Sequence, residues 1–408
     1  MRKRSFRRKS SGTRDDDDDD LTIFPEELLI EILKRLPVKS LCRFICVCTR
    51  WRSLISDPRF VDTHLAHSAT RPKLLVSFPD PHADHHRGGL RLFSADQSEP
   101  RNGQPQIARP HFLLRAWTGP YVSQSHDGLI CLEVDGLVNI CNPSTGKHAA
   151  FGLPGTRARS APWSYFEQTH SFGYDPVERK HKVLSTRVIS KGRLDRTDIL
   201  EPRVLTLGTK RWRRVEGCAP HYKKDHEFCF GGVVYYTAWS SSRDCSGDMY
   251  LVAFDVRTES FRMITVPARA REFRHKGLLI EFEGCLAIVD CYTALSCAEF
   301  YMWILEDFDR EIWKKRVFVL PACWKEIVGD RRVFPAGMVR SGKLLFAPQT
   351  LSRPVCVFYY NLKTNGFRRS EICGLPEHDL SLSPGYCLLT FSDYVESLLP
   401  PGGLSSRN

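Results

Sequence analysis

The 408-residue sequence predicts an α+β multidomain chain, a small all-α module followed by an all-β, propeller-like domain. Two observations carry this expectation. Apolar residues recur at helical spacing between residues 21 and 67. Beyond residue 70 they fall into short runs divided by turn residues, and from Phe112 to Tyr394 those runs repeat at a period of about 50 residues.

The helical module begins at Pro25, whose missing N–H costs nothing in a first helical turn. Glu26 and Glu27 follow, with the sign that the positive end of the helix dipole favours. Leu28, Leu29, Ile32, Leu33 and Leu36 make an apolar face, Lys34 and Arg35 fill the last turn, and Pro37 stops the helix. A second short helix is expected from Lys39 to Cys46, a third from Thr49 to Ile55, and a fourth capped by Asp57-Pro58 and running through Phe60, Val61 and Leu65. Helices this short are not stable alone. Their apolar residues also exceed what so small a bundle can bury internally, so the surplus must cover the rest of the chain or a partner.

In order and spacing this stretch resembles an F-box, the helical motif that binds the Skp-type adaptor of cullin-based ubiquitin ligases. The residues carrying the resemblance are Phe24-Pro25 with Glu27-Leu28-Leu29, Glu31-Ile32-Leu33, Arg35 to Leu41, Val47-Cys48, and Arg50-Trp51-Arg52-Ser53-Leu54-Ile55. Phe24 stands where the family usually has Leu, and Thr49 where it usually has a basic residue. The resemblance implies that Phe24, Pro25, Leu28, Ile32, Leu36, Pro37, Leu41, Val47, Cys48 and Trp51 hold the adaptor or shape the surface that does. The module boundaries are 21–67.

Residues 1–20 are nearly devoid of apolar side chains and are expected to be disordered. Arg2, Lys3, Arg4, Arg7, Arg8 and Lys9 form a basic cluster that reads either as a nuclear-import signal or as a solvated tail. No apolar core follows it, so it is not a secretory signal, and no run approaches the ~20 apolar residues of a membrane span. The expected location is the nucleus and/or the cytoplasm. Fifteen scattered cysteines then read as reduced, buried small hydrophobes, with Cys46 and Cys48 packed among the helices. Residues 1–20 carry +1 and residues 21–67 carry +2, so +9 of the formal +12 lies beyond residue 67.

The β region opens with a strand at Leu74–Phe78 and another at Leu90–Phe93. His82, His85 and His86 lie in the loop between them, but no Cys or carboxylate pattern supports a metal there, and no metal or cofactor is expected. One recurring unit is an aliphatic strand, a polar residue, a turn and an aromatic: VNICNPSTGKH, VLTLGTKRW, LVAFDVRTESF, MWILEDFDREIW and FYYNLKTNGF. Anchored on Thr145, Thr209, Thr258, Asp309 and Thr364, its spacings are 64, 49, 51 and 55 residues. A second unit is a turn followed by an apolar strand, at Asp127-Gly128, Gly231-Gly232, Glu283-Gly284 and Ser341-Gly342, with Gly173-Tyr174-Asp175-Pro176 filling the remaining place. Two interleaved units at one period are what four-stranded propeller blades produce, here six or seven of them. A β-sandwich also has short strands and frequent turns, but not this interleaving. Trp212, Phe261, Trp313 and Phe367 are expected to pack between neighbouring blades, and Tyr386–Phe391 to supply the closing strand.

Residues 70–400 resemble the plant F-box-associated domain, a kelch-related repeat region. The likeness rests on Ser125-His126-Asp127-Gly128-Leu129, Asn142-Pro143-Ser144-Thr145, Gly173-Tyr174-Asp175-Pro176 with Lys182-Val183-Leu184, and Tyr394-Val395-Glu396-Ser397-Leu398. No phosphate-cradling Gly-rich loop, His-Glu-x-x-His helix or Gly-x-Ser-x-Gly elbow is present. Together the two resemblances imply a non-catalytic substrate receptor. Its partners would be a Skp-type adaptor, through it a cullin, and an unknown protein substrate. The basic excess suits an acidic or phosphorylated target, or is a generally solvated surface. Two alternatives stay open: a propeller enzyme or lectin for a small carbohydrate ligand, its turnover controlled by the F-box, and, on charge alone, a nucleic-acid binder.

Overall fold

The computed structural model describes residues 25–80, 89–97, 105–115, 123–134, 137–153, 165–190, 198–209, 211–216, 218–224, 227–240, 248–267, 277–290, 298–350, 352–376 and 389–403. The N-terminal tail, Phe24 and the three histidines His82, His85 and His86 lie outside them. Four helices come first: α1 (Glu26–Leu33), α2 (Val38–Phe44), α3 (Thr49–Ser56) and α4 (Pro58–Ser68). α1 ends one turn earlier than its apolar spacing suggests. Leu36 N–H bonds the Leu33 carbonyl in a tight turn, and Pro37, extended at φ −60° and ψ 144°, caps α2 instead. At α4 the expectation holds in detail: Asp57 Oδ1 accepts from Arg59 N at 2.7 Å, and Pro58 takes the first position.

From Lys73 on, the described residues form six sheets arranged as the blades of one propeller, antiparallel but for one short strand noted below. Blade 1 holds β1 (Lys73–Pro79), β2 (Gly89–Asp96) and β4 (Arg109–Arg115), and β25 (Leu389–Tyr394) is its innermost strand. Blade 2 holds β5 (Ile130–Val134), β6 (Leu137–Asn142) and β7 (Lys147–Gly152). Blade 3 holds β8 (Tyr165–Asp175), β9 (Lys180–Ser190), β10 (Asp198–Thr206) and β11 (Trp212–Arg214). Blade 4 holds β12 (Tyr222–Lys223), β13 (Phe228–Phe230), β14 (Val233–Trp239), β15 (Met249–Asp255) and β16 (Phe261–Thr265). Blade 5 holds β17 (Gly277–Phe282), β18 (Cys285–Asp290), β19 (Glu299–Asp307) and β20 (Ile312–Val319). Blade 6 holds β21 (Val333–Val339), β22 (Lys343–Pro348), β23 (Cys356–Asn361) and β24 (Gly366–Cys373), preceded by the short α5 (Trp324–Val328). The short β3 (Gln106–Ile107) leaves blade 1 and pairs in parallel with β24, tying blade 6 to blade 1.

Six is therefore the blade count. The closing strand is described over Leu389–Tyr394, reaching three residues past the expected end at Phe391, while residues 386–388 of the expected strand lie outside the described residues; Val76 faces Thr390 in its register with β1. Closure also shows in how successive residues part. Leu74, Val76 and Phe78 of β1 pack toward blade 6, while Leu75 packs toward blade 2. Alternate residues of a strand point to opposite faces, so a ring of sheets buries both faces of each.

The repeat units have a local cause. Asp127-Gly128, Gly231-Gly232 and Glu283-Gly284 all have positive φ at both central positions, as the tightest hairpins of right-twisted strands require. In the unit that ends on an aromatic, the polar residue before the turn is a side-chain cap. Asp255 Oδ1 accepts from Arg257 N and Thr258 N, Asp307 Oδ1 from Asp309 N and Arg310 N, and Asn361 Oδ1 from Lys363 N and Thr364 N. The aromatic that follows crosses to the preceding blade. Trp212 Nε1 donates to the Gly152 carbonyl at 2.7 Å, and Trp313 Nε1 to the Thr265 carbonyl at 3.0 Å. Phe261 and Phe367 pack in the seams between blades 3 and 4 and between blades 5 and 6.

The tight turns share one side of the ring, and the helices sit on that side. Val61 and Leu65 of α4 pack on Leu129 and Ile140 of blade 2 and Phe172 and Leu205 of blade 3. Arg179 Nη2, in the turn of blade 3, pairs with Asp62 Oδ1 of α4 at 2.7 Å.

Candidate protein-docking surface

The four helices close on a small core of Leu33, Leu41, Ile55 and Phe60, with Ile30, Leu36, Phe44, Trp51 and Leu54 packed around it. α1 carries apolar side chains on nearly every side, so only some can face inward. Leu33 is the one that does so fully, at 2% exposure. Leu28 and Ile32, one helical turn apart on the outer side, are 51% and 52% exposed, and Val47, between α2 and α3, is 62% exposed. Pro25, which precedes α1, is exposed as well. Exposed aliphatic side chains are individually ordinary. Here three of the exposed large aliphatics among the described residues lie between Leu28 and Val47, on helices whose inner side is already committed.

Of the ten residues the F-box resemblance singles out, Pro25, Leu28, Ile32 and Val47 are outward-facing. Leu36, Pro37, Cys48 and Trp51 are half-buried at the helix junctions. Trp51 stands edge-on to Phe44 with ring centroids 4.8 Å apart, and Cys48 Sγ accepts from Trp51 N, capping α3. Leu41, at 0% exposure, is a core residue and belongs with those that shape the surface from beneath rather than face out. Phe24 lies outside the described residues. Cys46, expected to be packed, is exposed beside Val47.

Charge on this surface is local. Glu31 sits between Lys34, to which it hydrogen-bonds, and Arg35, and these neighbours hold its carboxyl below the usual range. On the inner side, His64 Nε2 lies 3.0 Å from the Leu36 carbonyl, and burial lowers its pKa, so the neutral ring donates there.

The segment after β25 escaped the sequence reading as a contact element. Glu396 Oε2 accepts from Val38 N, the first amide of α2, at 3.2 Å, and Glu396 Oε1 pairs with Lys73 Nζ at 2.7 Å. Burial alone would raise the Glu396 pKa, but Lys73 and the Val38 amide bring it below the usual carboxylate value. Leu398 packs against both the helical core and the seam between blades 2 and 3. The only sequence signal was the run Tyr394 to Leu398, apolar and acidic residues following the last strand.

Among the described residues, no helix is long and apolar enough to cross a membrane.

Comparison with known protein families matches this chain in two regions. A family model described as "F-box domain" covers residues 21–63, and one described as "F-box associated beta propeller domain" covers residues 75–395. F-box protein DOR of Arabidopsis thaliana is 33% identical over 367 residues, 86% of this chain and 88% of that protein. F-box protein At5g65850 of the same plant is 32% identical over 385 residues, 92% of this chain and 89% of that protein. Likeness to solved structures is low. A subtype N11 neuraminidase-like protein, for example, aligns over 76% of this chain and 79% of its own at 12% identity and a TM-score of 0.35.

Proposed function

Because this chain belongs to the F-box proteins that carry an F-box-associated β-propeller, we propose that it is the substrate-recognition subunit of a Skp–cullin–F-box ubiquitin ligase. The observation that carries the reading is the outward strip of Pro25, Leu28, Ile32 and Val47 on helices whose opposite side is packed. A partner that covers this strip removes apolar area from water without disturbing the core beneath, as an adaptor interface must.

In this reading the propeller holds the target. The tight-turn side over blades 2 and 3 is taken by α4 and the segment after β25, so the target approaches the other side. That side carries the ends of β9, β14 and β18 at Ser190, Trp239 and Asp290. Connections rather than strands usually carry recognition. The mechanism is proximity. The protein supplies no reacting group, and holding target and ligase in one assembly makes ubiquitin transfer effectively intramolecular. The basic cluster from Arg2 to Lys9 supports a nuclear or cytosolic location.

Purified full-length protein should bind a purified plant Skp-type adaptor with 1:1 stoichiometry in a calorimetric titration. Absence of binding with both proteins folded would overturn the assignment.

A further inference from the structure

Residues 395–403, which follow the propeller's last strand, bind back onto the ring. Asn142, in the outer turn of blade 2, donates through Nδ2 to the carbonyls of both Ser397 and Leu399 at 2.9 Å. Ser397 N donates to Ser144 Oγ at 3.3 Å, and Gly208 N of blade 3 donates to the Gly402 carbonyl at 2.7 Å. The fit leaves no slack. A Cβ on Gly128 would stand 2.5 Å from the Val395 carbonyl and from Ser397 Cβ, and one on Gly403 would stand 2.6 Å from Gly208 N. The segment is thus seated in blades 2 and 3 by backbone and side chain alike. From that seat two side chains reach the helical module. Glu396 joins the first amide of α2 to Lys73, the first residue of β1, and Leu398 enters both hydrophobic cores.

We infer that residues 395–403 are a strap that fixes the angle between the helical module and the propeller, with Glu396 and Leu398 as its positioning residues. Without the strap the helical module would be held by residues 69–72 and by α4 alone, through Val61, Leu65 and the Arg179–Asp62 pair, and α1 and α2 could pivot about that contact. A part-buried ion pair that also caps a helix, combined with an aliphatic side chain shared by both cores, holds one orientation instead. The consequence rests on the substrate-receptor reading. A fixed angle holds the target at one distance from the adaptor face, and effective concentration falls when a rigid connection becomes a flexible one.

The strap itself is tested without any ligase. Spin labels at Val47 and Lys314, both exposed, report the distance between the helical module and blade 5 in the full chain. Wild type should give one narrow distance distribution. Glu396→Ala with Leu398→Ala, and separately a chain ending at Tyr394, should broaden it while the propeller still unfolds cooperatively. Glu396→Gln, whose single amide oxygen can accept from Val38 N or from Lys73 Nζ but not from both, should broaden it less than the double variant does. An unchanged narrow distribution in the double variant and the shortened chain overturns the proposal. So does loss of propeller folding in both, since the segment would then belong to ring closure.

The ligase consequence has its own readout. An epitope inserted between Ser240 and Asp248 recruits a lysine-rich test protein through a matching nanobody. In a reconstituted ligase the double variant should bind adaptor and test protein as wild type does, yet transfer ubiquitin about tenfold more slowly. Equal transfer rates alongside a broadened distance would separate the strap from any role in catalysis. Failure of the wild type to bind adaptor would sink the receptor reading and leave the distance result standing.

Discussion

At the scale of single residues, the separation of outward from inward aliphatics in the F-box makes opposite predictions for neighbouring leucines. Leu28 and Ile32 are half exposed, so burying the remainder of each against the adaptor is worth about 1 kcal/mol, and a carboxylate there adds a desolvation cost. Leu28→Asp with Ile32→Asp should weaken adaptor binding about a hundredfold or more and leave thermal unfolding unchanged. Leu41, wholly buried, behaves otherwise: Leu41→Ala should cost the helical module about 2–5 kcal/mol. Adaptor titration beside a thermal melt of each variant distinguishes the two cases. A stable Leu41→Ala protein that merely loses adaptor binding would contradict the packing described above.

Buried histidines set a pH dependence. Burial pushes His126 and His170 down to about 4, the latter despite Glu133 at 3.5 Å. Between pH 6.5 and 4 the unfolded chain binds protons on these rings that the folded chain refuses. The stability they contribute is therefore whole above pH 6.5 and is lost as pH falls toward 4, by up to about 1.4 kcal/mol per pH unit for each ring. Denaturant unfolding at pH 7.5 and pH 5 should show the loss, and His170→Gln should lessen it. A stability flat across that interval would mean the rings are protonated in the folded state.

At the scale of the element, the recurring hairpin was legible because each of its parts has a local cause. A carboxylate or amide caps the turn from within three residues, and a glycine or another positive-φ residue follows from turn geometry. The role of the aromatic was legible as a position but not as a bond, since its partner carbonyl lies about one blade upstream. Trp212→Phe and Trp313→Phe keep most of the buried area while removing the bonds to Gly152 and Thr265, so each should lower stability by about 0.5–1.5 kcal/mol. Denaturant titration measures this directly, and a neutral effect of both would show the indole bonds to be incidental. The first helix was less legible. Leu28, Leu29, Ile30, Ile32 and Leu33 are apolar almost all round, so periodicity could not say which stripe faces the other helices.

At the scale of the whole molecule, stability depends on a ring whose two ends meet. Ending the chain at Leu388 removes β25, leaving β1 as an unpaired inner edge and opening the seam where Tyr394 packs with Leu75 and Ile130. That chain should be insoluble or cleaved rapidly by protease at concentrations where a chain ending at Tyr394 is stable. Equal protease resistance of the two would mean that closure contributes little.

The sequence by itself determined the order of parts: helices, then hairpins of one repeating kind, with the F-box spacing intact at its head. Those features depend on residues within a few positions of one another, where turn chemistry, caps and periodicity act. Tertiary structure alone decided the count of six blades, the turning of Leu41 inward while Leu28 and Ile32 face out, and the seat of Glu396 against Val38. Each of these joins surfaces that local pattern leaves equivalent. Glu396 and Val38 stand 358 residues apart, and nothing near either in the chain records the other. Which apolar surface is buried follows from the packing of the entire ring, and a local stretch carries no trace of that choice.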